Sequence, residues 1–356
     1  MALREETKKR RQGVLLCGAY GMGNAGDDEV LAAILARLRE IDPETPVTVM
    51  ARRPAGTAVR FGVDAVHPLR VLRWLSLMGR TRLFLSGGGS LLQDVTSRRS
   101  LLFYLFTIRA AKARGCAVQL YGCGVGPLLS ESSRRQTART LNACADVITL
   151  RDRDSGALLE ELGVTKPPVL LAADPALSMP AAGGCREELA GYLLRDWPGA
   201  EGLREAFAAC ARHVWQTRGL KPLLMYMAPK DRAAAEAVGK RLTEQGVPWE
   251  ISGDPDRIGG LRLVLSVRLH GLIFALREGV PAGGVSYDPK VDAFCREAAL
   301  PCLPLGDASP EAMCRLADEA LEETPDALAV TLARLRTRER ISGDQAARLL
   351  RDGNQI

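Results

Sequence analysis

Short apolar runs alternating with amphipathic helical stretches constrain this chain more than any other feature. Residues 13–18 read as a first strand, and residues 28–40 carry Val30, Leu31, Ile34, Leu35 and Leu38 on one helical face. Residues 47–50, 83–85, 117–121 and 146–150 read as further strands, with helices expected over 101–113 and 132–143. Parallel strands need a long crossover, usually a helix, so this rhythm predicts a doubly wound parallel sheet. It breaks at Asp174-Pro175 and the small-residue run 179–184, then restarts. Helices are expected over 203–218 and 233–245, strands over 222–226, 263–267 and 282–286, and terminal helices over 310–322 and 328–350. At 356 residues the chain is longer than one core usually supports. The expected fold is α/β, with two Rossmann-like doubly wound domains facing each other across a cleft. The first would span residues 1–178, the second 185–325, and a C-terminal helix 326–356.

Bulk properties narrow the function. A formal charge of +6 suits an anionic substrate or an anionic membrane surface. Aromatic residues make up only 5% of the chain, and no basic stripe is interleaved with them, which argues against nucleic acid. The nine cysteines lack C-x-x-C spacing, and many sit in apolar runs, as reduced buried thiols do. No apolar signal-like segment precedes the first strand, and the most apolar stretch, 101–108, is too short to span a bilayer. A cytoplasmic protein is expected, at most peripheral at the inner face of the plasma membrane. The run Lys8-Lys9-Arg10-Arg11 reads either as a tail or as a contact to that surface.

The glycine-rich turns offer ligand sites. Residues 21–26 satisfy G-x-G-x-x-G, but Asp27, Asp28 and Glu29 occupy the place a pyrophosphate would need, which disfavours a dinucleotide. Asp28 and Glu29 also suit a helix cap. Asn24 and Asp27, inside the turn, are placed to hydrogen-bond sugar hydroxyls. Ser86-Gly87-Gly88-Gly89-Ser90 reads either as a lining of backbone N–H groups or as a tight crossover needing positive φ, with Gln93 and Asp94 close behind. The turn at 122–127 reads as mainly structural.

Charged residues then gather at strand ends. Arg268 and His270 follow the strand at 263–267, and Tyr287-Asp288-Pro289-Lys290 follows the strand at 282–286. In open α/β sheets ligands collect at the carboxyl ends of strands, so two cations and an imidazole there point to a small, multiply charged anion. Lys290 equally suits a turn cap, and strand alternation can turn Arg268 toward a structural ion pair. Arg151 ends the strand at 146–150. His67 and His213 lack such a context. Motifs for a phosphate loop, a zinc protease or a nucleophile elbow are missing.

Together these segments resemble the polysaccharide pyruvyl transferase family. Gly-Asn-Ala-Gly-Asp (23–27), Ser-Gly-Gly-Gly-Ser-Leu-Leu-Gln-Asp (86–94), Gly-x-Gly-x-Gly-Pro (122–127), Arg151-Asp152 with Ser155, Ala173-Asp174-Pro175, Arg-Leu-His (268–270) and Tyr-Asp-Pro-Lys (287–290) occur in the family's order. The likeness is greatest to the bacterial cell-wall branch whose products anchor S-layer proteins. It implies a GT-B-like fold and transfer of pyruvate from phosphoenolpyruvate to a lipid-diphosphate-linked N-acetylmannosaminyl-N-acetylglucosamine. The product would be a 4,6-linked pyruvate ketal for secondary cell wall polymer, with phosphate released. No cofactor beyond phosphoenolpyruvate as co-substrate and no metal is implied, and nothing indicates oligomeric state. By motif, Arg151, His270 and Lys290 would bind phosphoenolpyruvate and carry the chemistry. Asn24, Asp27, Gly87, Gly88, Gly89, Gln93, Arg268 and Tyr287 are expected to contact substrate. Cys123 departs from the family, where relatives often carry a polar residue. The alternative is a GT-B glycosyltransferase using a nucleotide sugar, with Asp288 or Glu278 on the ribose. A binding protein for wall polymer is the non-enzymatic rival.

Overall fold

A computed structural model of the chain describes residues 11–195 and 201–351. Of the basic run at 8–11, only Arg11 lies within them, and its guanidinium donates to the Met78 carbonyl at 3.4 Å. The chain divides into two compact units. The first holds residues 11–22, 30–174 and 340–351, the second 23–29, 175–195 and 201–339.

The first unit contains strands β1 (Val14–Tyr20), β2 (Val47–Ala51), β3 (Asp64–Val66), β4 (Leu83–Leu92), β5 (Ala117–Val125), β6 (Val147–Leu150) and β7 (Val169–Leu171). They run parallel in the order β3-β2-β1-β4-β5-β6-β7. Its helices are α1 (Ala25–Ile41), α2 (Pro54–Phe61), α3 (Val71–Met78), α4 (Arg98–Ala113), α5 (Glu131–Cys144) and α6 (Arg153–Glu161). A parallel sheet covered on both faces needs near-continuous apolar strands, and Val14 to Cys17, Leu83 to Leu85 and Val147 to Leu150 are all buried. Side-chain caps start α4, α5 and α6: Ser97, Ser130 and Asp152 accept from the backbone N–H three residues on, as N-caps do.

Three local expectations need correction. Residues 86–90 are not a turn. β4 continues through the glycine run to Leu92, with Gly87 opposite Tyr121 and Gly89 opposite Cys123. Gly88 has φ +69°, and a Cβ there would lie 3.2 Å from Val30 Cβ and nearer still to its Cγ1, so α1 presses on the sheet only because that side chain is missing. β5 likewise absorbs residues 122–125 of the expected turn. Finally, α1 begins at Ala25 rather than at 28, because Asn24 accepts from the Gly26 N–H through Oδ1 (3.3 Å) and from the Asp28 N–H through its carbonyl (3.1 Å).

The second unit contains β8 (Leu189–Leu193), β9 (Lys221–Met225), β10 (Glu250–Ser252), β11 (Leu263–Ser266), β12 (Ala282–Ser286) and β13 (Cys302–Pro304). These strands are parallel, in the order β10-β9-β8-β11-β12-β13. Helices α7 (Glu201–Arg218), α8 (Arg232–Glu244), α9 (Leu269–Arg277), α10 (Pro289–Ala298), α11 (Pro310–Leu321) and α12 (Pro325–Arg351) complete it. Its core is built on Tyr192, Phe207, Leu224, Leu265 and Met313. The last helix contributes to both units. Arg336 donates to the Leu177 and Met179 carbonyls (both 2.8 Å), whereas the Ser342 carbonyl accepts from Gln119 Nε2 at 2.8 Å. In each sheet the strand order reverses beside the first strand, between β1 and β4 and between β8 and β11. Such switch points are where open α/β sheets bind ligands.

Candidate active site

Within the second unit, β11 and β12 are neighbours, and each passes directly into a helix. Arg268 is the N-cap of α9 and His270 its second residue. Asp288 is the N-cap of α10 and Lys290 its second residue. The sequence places His270 and Lys290 at strand ends; the structure puts both in the first turn of the helix that follows. The first backbone N–H groups of a helix lack intrahelical partners, and the helix dipole adds partial positive charge there. Two such ends on adjacent strands, one bearing an imidazole and one an ammonium, make an edge suited to an anion. Asp288 tempers this charge: its Oδ2 pairs with Lys290 Nζ at 2.9 Å while Oδ1 accepts from the Lys290 N–H at 3.2 Å.

His270 is seated by Gly26, a member of the 21–26 and 23–27 motifs for which the sequence suggests no such contact. A Cβ built on Gly26 would lie 2.8 Å from the His270 Cβ and nearer still to its Cγ and Nδ1. The imidazole therefore rests on bare backbone at the start of α1, and its other side meets Phe274 at 6.1 Å between ring centroids. The same stretch of α1 is held within the second unit by the Ala25 N–H donating to the Met227 carbonyl (3.1 Å) and by Glu29 paired with Arg277. Arg277 stacks on Phe274 at 4.9 Å and donates to Glu278 at 3.0 Å. Asn24 and Asp27 are joined by a hydrogen bond of 2.6 Å from Nδ2 to Oδ2. The only sequence sign of the Gly26 contact is a glycine opening a helix, where it is a poor helix former.

Arg268 is engaged in an ion pair with Asp231, a fully buried carboxylate, and its N–H donates to Ser266 Oγ at 2.9 Å. Tyr287 accepts a hydrogen bond from Arg195, whose guanidinium lies 4.8 Å from the ring centroid. Arg195 lies two residues beyond the end of β8 and was not singled out from sequence, because a five-residue strand soon after the 179–184 run gives little periodicity to anchor its end.

In the first unit Arg151 is a buried cation held by carboxylates. Nη1 donates to Asp174 Oδ2 at 3.1 Å, Nη2 to Ser90 Oγ at 2.8 Å, and Nε lies 3.6 Å from Asp152 Oδ2. Gly124 makes room for the guanidinium, since a Cβ there would lie 3.1 Å from Nε. The Tyr20 hydroxyl donates to the Gly87 carbonyl at 2.5 Å, and Gly87, Gly88 and Gly89 are all buried. Gln93 Oε1 accepts from the Thr96 N–H at 2.9 Å. Burial pushes the Asp94 carboxyl up, but N–H and hydroxyl donors from Leu129, Ser130 and Ser133 outweigh it and hold the group below the usual range. Burial drives the Cys123 thiol up to about 12 against the lowering pull of Arg151, which leaves it protonated and unsuited to nucleophilic work. Among the described residues no group of three or more His, Cys, Asp or Glu side chains is placed to hold a metal ion.

Comparison with known proteins adds a family and a fold. The chain matches the polysaccharide pyruvyl transferase family over residues 24–289. No curated protein matches it. Among solved structures it is similar to HepE of Anabaena, determined with UDP (12% identity, TM-score 0.63, covering 96% of this chain and 100% of that one). A putative UDP-N-acetylglucosamine 2-epimerase from Listeria monocytogenes is similar at 13% identity and TM-score 0.63, covering 97% of each chain. The UDP-GlcNAc 2-epimerase of Methanocaldococcus jannaschii is similar at 10% identity and TM-score 0.63, covering 94% of this chain and 99% of that one. At such identities the likeness speaks for the fold alone: two parallel-sheet α/β domains of the Rossmann-like, GT-B kind.

Proposed function

The chain belongs to the polysaccharide pyruvyl transferase family and is a transferase, and from that premise we propose that its donor is phosphoenolpyruvate. The acceptor in this reading is a lipid-diphosphate-linked amino-sugar disaccharide, ManNAc-GlcNAc, and the product a 4,6-pyruvate ketal for secondary cell wall polymer and S-layer anchoring. The observation that carries the donor is the edge where His270 and Lys290 occupy matching positions at the N-termini of α9 and α10, after adjacent strands. A ligand with both a carboxylate and a phosphate is what such an edge favours.

The chemistry follows from the donor. Protonation of the methylene carbon leaves an oxocarbenium-like centre at C2. One sugar hydroxyl adds there and gives up its proton, the C2–O bond to phosphate breaks, and the neighbouring hydroxyl closes the ketal as its proton is taken up by the departing phosphate. Lys290 neutralises charge on the phosphate as it leaves, and His270 relays the second hydroxyl's proton to it, a role within the imidazole's range. Asn24 and Asp27 contact the sugar, with Asp27 as base for a hydroxyl. Gly87, Gly88, Gly89 and Gln93 shape the substrate side of the first unit, and Arg268 and Tyr287 support that of the second. Arg151 is assigned to the donor by family resemblance. Because two carboxylates already flank it, its replacement is expected to cost stability as well as turnover.

The test is mass spectrometry of a lipid-linked ManNAc-GlcNAc analogue after incubation with phosphoenolpyruvate, alongside phosphate release. His270→Ala and Lys290→Ala are each expected to lower phosphate release about 100-fold or more while the protein stays folded. Turnover near wild type in both would sink the assignment. Calorimetric binding of UDP-sugars with none of phosphoenolpyruvate would favour the glycosyltransferase alternative.

A further inference from the structure

Positive charge in this protein is concentrated in one stretch. Residues 52–114 hold twelve Arg or Lys and two acids, a formal +10, while the whole chain carries +6, so everything else sums to −4. The same stretch supplies seven of the eleven exposed large hydrophobic side chains among the described residues. Leu69 is 73% exposed and Leu72 85%, values at which burial in the fold contributes almost nothing to keeping them. Leu102 and Phe106 stand one helical turn apart on the outer side of α4, both exposed. Two contacts join these pieces into one face. Trp74 meets Phe106 edge-on at 5.7 Å, and Trp74 Nε1 donates to the Pro68 carbonyl at 2.9 Å, holding the loop before α3 against that helix. Arg70 and Arg73 alternate with the leucines along this segment, and both are exposed.

We propose that this face, residues 69–73 with Leu102 and Phe106, docks the protein on an anionic phospholipid bilayer. The leucines and Phe106 enter the interface, and the arginines meet lipid phosphates, the pairing of apolar insertion with positive charge that holds peripheral proteins on such surfaces. Charge complementarity selects this occupant over a second copy of the chain, since self-association here would bring two strongly positive surfaces together. The assignment stands on exposure and charge and does not rest on the donor or acceptor proposed above.

The test is co-sedimentation of the purified protein with vesicles of phosphatidylcholine alone and of phosphatidylcholine mixed with phosphatidylglycerol, at low and high salt. Binding is expected only to the mixed vesicles and is expected to weaken with salt. Arg70→Ala/Arg73→Ala should lower partitioning about 25-fold, about fivefold per arginine. Leu69→Ser/Leu72→Ser should lower it at least about tenfold and, at such exposed sites, leave the fold and phosphate release toward a soluble acceptor analogue unchanged. Neutralising Lys8, Lys9 and Arg10 should leave most of the binding in place. The proposal is overturned by equal sedimentation with both vesicle types or by wild-type partitioning of both double variants. It is also overturned by loss of all binding on neutralising residues 8–10, or by self-association that the same substitutions abolish without any lipid binding.

Discussion

Gly26→Ala is the most direct probe of how His270 is held. The new methyl carbon would stand 2.8 Å from the His270 Cβ and nearer to the ring, whereas carbon contacts settle at about 3.5–4.0 Å. Either the imidazole or the first turn of α1 must therefore shift by about 1 Å or more. The φ of Gly26 is outside the left-handed region, so the backbone itself accepts alanine, and alanine gains about 0.5–1 kcal/mol as a helix former. Overpacking costs about 1–3 kcal/mol, so the net loss of stability should be about 0–2.5 kcal/mol. Catalysis is far less tolerant: a group displaced by about 1 Å loses on the order of 100-fold in rate, about 2.7 kcal/mol of barrier. Phosphate release from phosphoenolpyruvate with acceptor present, measured across pH, reads the effect, and thermal melting reads the fold. A fall in kcat well beyond that in phosphoenolpyruvate KM, with a displaced pH profile and a nearly unchanged Tm, is expected. Gly202→Ala on α7, which meets nothing within 4 Å, is the matched control and should leave kcat and the pH profile unchanged. Wild-type kcat and pH profile in Gly26→Ala would refute the claim that this contact positions the imidazole.

The remaining predictions concern charges and thiols. Arg268→Ala removes the cation paired with the buried Asp231 carboxylate and should destabilise the protein by about 3–5 kcal/mol in denaturant titration, with Arg268→Ala/Asp231→Ala losing less than the single change. Asp174→Ala removes one of the two carboxylates at Arg151 and should likewise cost about 3 kcal/mol. The Cys314 thiol is held down at about 7, first by its hydrogen bond with Cys210 and then by His213, with burial and Asp318 opposing. Because folding lowers this pKa from 9.0, the thiolate contributes stability above that value and loses it as pH falls through about 7. Iodoacetamide labelling near neutral pH, read by peptide mass spectrometry, should therefore mark Cys314 well before Cys17, which burial pushes up to about 12.

Most of the architecture was legible because its signals are local. A parallel strand buried on both faces is favoured by a continuous aliphatic run, and the crossover returning to the sheet must be amphipathic, so 263–267 could be read directly and the structure places β11 at Leu263–Ser266. Glycine was the ambiguous letter. A run such as 86–90 looks like a turn, yet here the missing side chains let Val30 and Tyr20 close on a continuing strand, a reason that lies in residues far along the chain. The same holds for the site. Sequence by itself brought His270 and Lys290 to strand ends, because strand and helix signals bracket them. Which charges are already engaged (Arg268 by Asp231, Arg151 by Asp174, Lys290 by Asp288) and which backbone seats the imidazole were decided only by tertiary structure. Pairing and close packing depend on distances of a few ångströms between segments remote in sequence, and no periodicity along the chain records them.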